Sequence, residues 1–179
     1  MDIAFLTTLF MKYGWIAIFT IVFLEYLNLP GFPAGVIMPL AGIMASKGNI
    51  GFVAVMLLSV AAGLLGSLCL YALGRFGGSK LLPWYYKKFP AHQETIEKNI
   101  DWLKEKGCVA IFIAKLLPAV RTLISIPAGI IEMDLKKYVI TSTCGIMIWN
   151  FVFVGAGFVM GDEIFEMTAK IKDYITAWI

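Results

Sequence analysis

PGFPAGVIMPLAGIMASKG, Pro30 to Gly48, is apolar along nearly its whole length and yet cannot form a straight helix. Pro30, Pro33 and Pro39 fall with Gly31, Gly35 and Gly42 inside its first 13 residues. A proline within a helix removes a backbone donor and clashes with the preceding turn. An interrupted apolar segment at membrane depth must bury its freed backbone groups in protein or line a wet cavity, which is the signature of a re-entrant hairpin. A second stretch, GCVAIFIAKLLPAVRTLISIPAGII from Gly107 to Ile131, repeats this logic with Pro118, Pro127 and Gly129.

The flanking sequence supplies the membrane. Of 179 residues 60% are hydrophobic and 15% charged, against roughly 25% charged in a soluble domain. Asn49 to Gly74 runs 26 residues and Tyr138 to Gly161 another 24 without Lys, Arg, Asp or Glu. At about 1.5 Å per residue each is long enough for a hydrocarbon core of roughly 30 Å. Tyr13 to Ser46 carries one charge in 34 residues, Glu25, and its prolines divide it into a crossing and a hairpin. A soluble helical bundle is excluded because helices in water need a polar face that these runs lack. Met1-Asp2 offers no basic start and no small-residue cleavage site follows, so the N-terminal helix is expected to stay.

The expected fold is an all-α polytopic membrane protein in a single domain, 1–179. Three full transmembrane helices are expected, at about 13–29, 49–75 and 136–161. Two oppositely oriented re-entrant hairpins lie between them, with amphipathic interfacial helices at 1–12, within the linker 76–106 and at 162–179. Ile96, Ile100 and Leu103 recur at helical spacing among charges in that linker, as on a helix lying along a membrane surface. Arg75, Lys80, Lys87, Lys88, Lys98, Lys104 and Lys106 gather there too, which places the loop 76–106 in the cytoplasm by the positive-inside rule and not on a nucleic acid. Residues 13–75 and 107–161 read as two repeats. Ala41-Gly42-Ile43 and Ala128-Gly129-Ile130 stand 87 residues apart, and Gly74 and Gly161 share that offset. An odd number of crossings between the hairpins gives an inverted repeat whose half-helix ends meet near the midplane.

Within the apolar runs the ionisable residues are Glu25, Lys115 and Arg121, each costing several kcal/mol unless it has a partner or water. Arg121 offers a planar fork of donors for a phosphate and Lys115 a compact second positive charge. Glu25 can exchange a proton, or pair with either cation to staple the hairpins. Arg75, beside Gly74, Gly77 and Gly78, is a weaker headgroup ligand. Thr122 and Ser125 flank Arg121 as headgroup ligands or, in a rival enzyme reading, as the nucleophile of a lipid phosphatase. Asn150 is expected to hydrogen-bond another helix. Cys69, Cys108 and Cys144 have no paired spacing and the single histidine, His92, lies in the hydrophilic linker. No metal site and no cofactor are expected, and the state of oligomerisation stays open.

From about Ile21 to Gly161 the chain resembles the DedA family of bacterial inner-membrane proteins, related to the VTT-domain or SNARE-associated Golgi proteins. The stretches that carry the resemblance are FLEYLNLPGFPAGVIMPLAG, GLLGSLCLYALGRFGG and KLLPAVRTLISIPAGIIEMDLKKYVITSTCGIMIW. It implies a multi-pass protein of the bacterial cytoplasmic membrane that moves a phosphate-bearing lipid, undecaprenyl phosphate or a phospholipid such as phosphatidylethanolamine, with proton coupling through Glu25. Phosphatase and small-ion or proton antiporter are the alternatives. The chain departs from the family pattern at Gly35 and Ser67, where many relatives carry an acid, and at Lys115, where they carry arginine. Relatives also commonly have one more helix after the last span.

Overall fold

The computed structural model describes residues 12–27, 36–48, 50–88, 93–118, 120–161 and 163. Among them the chain is all helical: α1 Trp15–Tyr26, α2 Ile37–Ser46, α3 Phe52–Lys88, α4 Gln93–Lys106, α5 Cys108–Lys115, α6 Ser125–Ile130 and α7 Leu135–Met160. Phe52–Gly78 within α3 and the whole of α7 are 27 and 26 residues long, and the most apolar 18-residue stretch of each has a mean hydropathy of 2.4 and 1.8. Both exceed what a core of roughly 30 Å requires. Their outward faces are apolar, with Val53, Leu57, Leu65 and Leu73 exposed on α3 and Ile140, Met147, Phe151 and Val159 exposed on α7. Ser59, Ser67, Ser142 and Asn150 of the same helices are buried. Apolar outside and polar inside is the distribution of a membrane protein.

Three boundaries differ from the sequence expectation. Two helices among the described residues are long enough to cross, not three, because the expected first span is the 12-residue α1, about 18 Å in length. α3 does not end near residue 75 but continues through Pro83 to Lys88, so the surface helix of the linker is confined to α4. The break in the second interrupted stretch, Gly107 to Ile131, is at the turn containing Pro118. Pro127 instead lies in the first turn of α6, as Pro39 does in α2, where proline is tolerated because that N–H has no intrahelical partner. Pro30, Pro33 and Gly35 lie outside the described residues, as do all but residues 12 and 163 of the interfacial helices expected over 1–12 and 162–179.

The short helices are held by the long ones in a reciprocal arrangement. α1 packs on α3 and α5 on α7, while α2 packs across on α7 and α6 across on α3. Each cross-contact is a backbone-to-backbone approach at glycine. A Cβ on Gly42 would strike the carbonyl oxygen of Val154, and one on Gly157 that of Pro39; a Cβ on Gly129 would strike the carbonyl oxygen of Tyr71, and one on Gly74 that of Ile126. Small residues at these points let helices approach closely enough for dispersion contacts to hold them in lipid. Gly157, not Gly161, thus takes in α7 the part that Gly74 takes in α3. Gly161 instead ends α7 with φ 58°. Two apolar clusters result, one around Ile18, Val22, Tyr26, Met38 and Val154 and the other around Tyr71, Ile111, Ile124, Ala128 and Tyr138.

Candidate functional site

Glu25, Lys115 and Arg121 converge at the seam between these clusters. All three are buried, Arg121 at 0% exposure. The last turn of α1 supplies Glu25 and Tyr26, the last turn of α5 supplies Lys115, and the turn after Pro118 supplies Arg121. Pairing of this kind follows from chain connectivity: an interrupted helix delivers its final side chains to the interior, where an intact span would carry them past it.

Arg121 Nη2 pairs with Glu25 Oε1, and Arg121 Nη1 donates to Tyr26 Oη at 3.0 Å. The guanidinium carbon lies 4.7 Å from the Tyr26 ring centroid and 4.9 Å from that of Trp149, contacts that attract a cation to the electron-rich ring faces. Arg121 Nε and Trp149 Nε1, both donors, and Glu25 Oε2 have no hydrogen-bond partner among the described residues. Buried polar atoms are ordinarily paired, so a cluster of three is a functional signal. Tyr26 Oη donates to Asn150 Oδ1 at 3.4 Å, and Asn150 Nδ2 to Ser59 Oγ at 3.0 Å, which is the interhelical bond expected of Asn150.

Lys115 lies beside this pair and has no carboxylate partner of its own among the described residues. Its ammonium donates to Ser67 Oγ at 2.8 Å and to Ser125 Oγ at 3.1 Å, and stands 6.0 Å from both the Tyr26 and Tyr138 ring centroids. The buried charged residues among those described are therefore two bases and one acid. Thr122 and Ser125 are also buried here. Arg75 is not part of this centre. It is exposed near the end of the Phe52–Gly78 segment, where Nη1 donates to Tyr71 Oη at 2.8 Å, and Tyr71 in turn donates to the carbonyl of Met133.

The aromatic walls escaped the sequence reading. Tyr26 follows Glu25 directly but is one aromatic among 25 Phe, Tyr and Trp residues, and Trp149 stands in an apolar run without a charge to mark it. Its position gave the available signal, since a tryptophan at the fifteenth residue of a 26-residue span lies too deep for a headgroup belt.

A family model described as the VTT domain matches residues 32–159. Undecaprenyl phosphate transporter A of Bacillus subtilis (strain 168) is 32% identical over 131 residues, 73% of this chain and 66% of the relative. A protein of the same name from Staphylococcus aureus (strain NCTC 8325 / PS 47) is 28% identical over 176 residues, 94% of this chain and 85% of the relative. An alkaline phosphatase-like protein of Lactococcus lactis subsp. cremoris (strain MG1363) is 30% identical over 167 residues, 90% and 77% of the two chains. The chain spans just under two thirds of the Bacillus relative's length. No solved structure matches it. The chain belongs to the VTT-domain family, that of the DedA membrane proteins.

Proposed function

We propose that this member of the VTT-domain family translocates a phosphate-bearing lipid across the bacterial cytoplasmic membrane, with Arg121 and Lys115 taking the phosphate and Glu25 controlling access to Arg121. The observation that carries this reading is the buried centre itself: among the described residues, two bases against one acid, with donors on Arg121 and Trp149 that have no partner there. An isolated buried charge is costly. A phosphate offsets the surplus positive charge and supplies acceptors, while its hydrocarbon tails stay in the bilayer. Glu25 and the phosphate compete for one guanidinium, so a proton on Glu25 releases Arg121 to the lipid. Thr122 and Ser125 add hydroxyl ligands, Ser125 already within reach of Lys115.

In this reading α1 with α2 and α5 with α6 are re-entrant hairpins entering from opposite faces, the two repeats form one domain, and the loop 76–106 is cytoplasmic. Support comes from the reciprocal glycine contacts, which let each hairpin lean on the long helix of the other half. Undecaprenyl phosphate and phosphatidylethanolamine are the two candidate lipids. Names of the Bacillus and Staphylococcus relatives favour the first.

A second reading draws on the 3.1 Å separation of Lys115 Nζ and Ser125 Oγ, a spacing suited to a serine nucleophile with a lysine base, and on the phosphatase-like names among relatives. Reconstitution in liposomes separates the two. Transport predicts movement of one lipid by the wild type and none by Arg121→Ala, with Glu25→Gln losing its response to a pH gradient. Phosphatase activity predicts release of labelled inorganic phosphate that Ser125→Ala abolishes. Lipid movement without phosphate release rejects the enzyme, and release without movement rejects the carrier.

A further inference from the structure

The chain carries a second polar site that the buried centre does not use. An open pocket of about 670 Å³ lies where α3 passes the turn between α6 and α7. It lies beside Leu135, the first residue of α7, and beside Arg75, the first charged residue along α3. Arg75, Glu132 and Asp134 line the pocket, and the exposed Phe76 and Leu135 flank it. Tyr71 forms its floor, fixed by the Arg75 and Met133 hydrogen bonds.

Glu132 is the unusual member. Its φ is 53°, the sole positive value on a non-glycine residue among those described. The matching position after α2 is Gly48, φ 78°, and the two turns close alike: Gly48 N–H donates to the Ala45 carbonyl at 3.2 Å and Glu132 N–H to the Gly129 carbonyl at 3.0 Å. Glycine takes this conformation without a Cβ penalty and is the usual residue there. A carboxylate held in a disfavoured backbone state at the rim of a polar pocket marks a functional constraint.

We infer that this pocket docks a lipid headgroup carrying both a phosphate and an ammonium group, the phosphate on Arg75 and the ammonium against Glu132. The charges that line the pocket decide the class of ligand. One guanidinium faces two carboxylates, of which Asp134 already caps α7 by accepting from Lys137 N at 2.9 Å, and the exposed Lys136 and Lys137 follow on α7 without lining the pocket. A phosphate monoester meets more negative than positive charge on this lining, whereas a zwitterion places each of its charges beside an opposite one. The tails run along Phe76 and Leu135 into the bilayer. The pocket also borders the buried centre, because Tyr71 stacks on Tyr138 at 4.6 Å and the Tyr138 ring stands 6.0 Å from Lys115. The onward transfer of a headgroup past this tyrosine pair rests on the transport reading; the docking does not.

The test is retention of lipid by the purified full chain in non-ionic detergent, by native mass spectrometry with equimolar dioleoyl phosphatidylethanolamine and dioleoyl phosphatidic acid. Glu132→Gln is expected to shift the retained ratio toward phosphatidic acid by about tenfold, the weight of one charge-assisted hydrogen bond. Glu132→Gly is expected to shift it equally while melting no lower than the wild type, so that the loss is not one of folding. A ratio that moves less than about twofold in both variants overturns the pocket. A wild type that moves no lipid in liposomes but whose ratio responds to Glu132 defeats the transport reading and leaves the pocket standing. Transport with a ratio blind to Glu132 does the reverse.

Discussion

The two halves of the molecule are alike in scaffold and unlike in chemistry. Each lays a short helix across the other half's long one through a glycine pair, Gly42 with Gly157 and Gly129 with Gly74. Each also places the last turn of its leading helix on a glycine of its own long helix, Tyr26 over Gly66 and Lys115 over Gly145. The first half, however, brings an acid and a phenol to the seam, and the second brings two cations. Packing can be duplicated because glycine contacts ask only for closeness. A buried ion pair cannot, since two copies of one sign repel and two hydrogen-bond donors cannot satisfy each other.

The largest effect should come from breaking the asymmetric part. Arg121→Ala leaves Glu25 buried without its partner, and the expected loss is about 3–5 kcal/mol of stability together with all transport. Glu25→Gln with Arg121→Met removes both charges and should recover most of that stability and none of the transport, as read by denaturant unfolding in detergent beside a liposome assay. A transporting double variant would reduce the ion pair to a staple. Lys115→Met sharpens the contrast. Among the described residues this cation has hydroxyl partners and no carboxylate, so its removal should hold stability or raise it by about 1–2 kcal/mol while still abolishing transport.

The symmetric part gives smaller and paired effects. Gly42→Ala and Gly129→Ala each drive a methyl into the backbone of the opposing helix, and each should lose about 1–3 kcal/mol, the two within about 1 kcal/mol of one another. Gly155→Ala, whose new methyl meets nothing within 4 Å, should gain up to about 1 kcal/mol from helix propensity alone. Unequal losses at Gly42 and Gly129 would mean that the halves are not held by equivalent contacts.

What could be read in advance follows the same division. Glu25, Lys115 and Arg121 were legible because a charge in an apolar run needs a reason, and Gly42 and Gly129 because both stand in a repeated Ala-Gly-Ile. Helix lengths were not. An apolar crossing and an apolar hairpin arm have the same composition, so α1 read as a span over 13–29 and proves to be 12 residues long. The equivalence of Gly74 with Gly157 was hidden for a related reason: equal spacing along the chain pointed to Gly161, whereas the packing of α2 and α6 selects residues 83 apart. Arg75 and Arg121 were told apart by position, since Arg75 follows the end of an apolar run and Arg121 stands inside one, which is why Arg75 read as the weaker ligand.

The finest distinction between the halves is at the exits of α2 and α6, where Gly48 and Glu132 occupy the same left-handed position. If the carboxylate at 132 serves the pocket and not the fold, Glu132→Gly should raise stability by about 0.5–1 kcal/mol, because the Cβ penalty disappears and the Met133 N–H to Ala128 carbonyl bond of 3.1 Å needs no side chain. Gly48→Glu imposes the same conformation on the other half and should lose a similar amount. Thermal melts of the two variants check both signs. A Glu132→Gly protein that melts below the wild type would show that this side chain holds the α6–α7 turn together, and the difference between the exits would then belong to the scaffold and not to the chemistry.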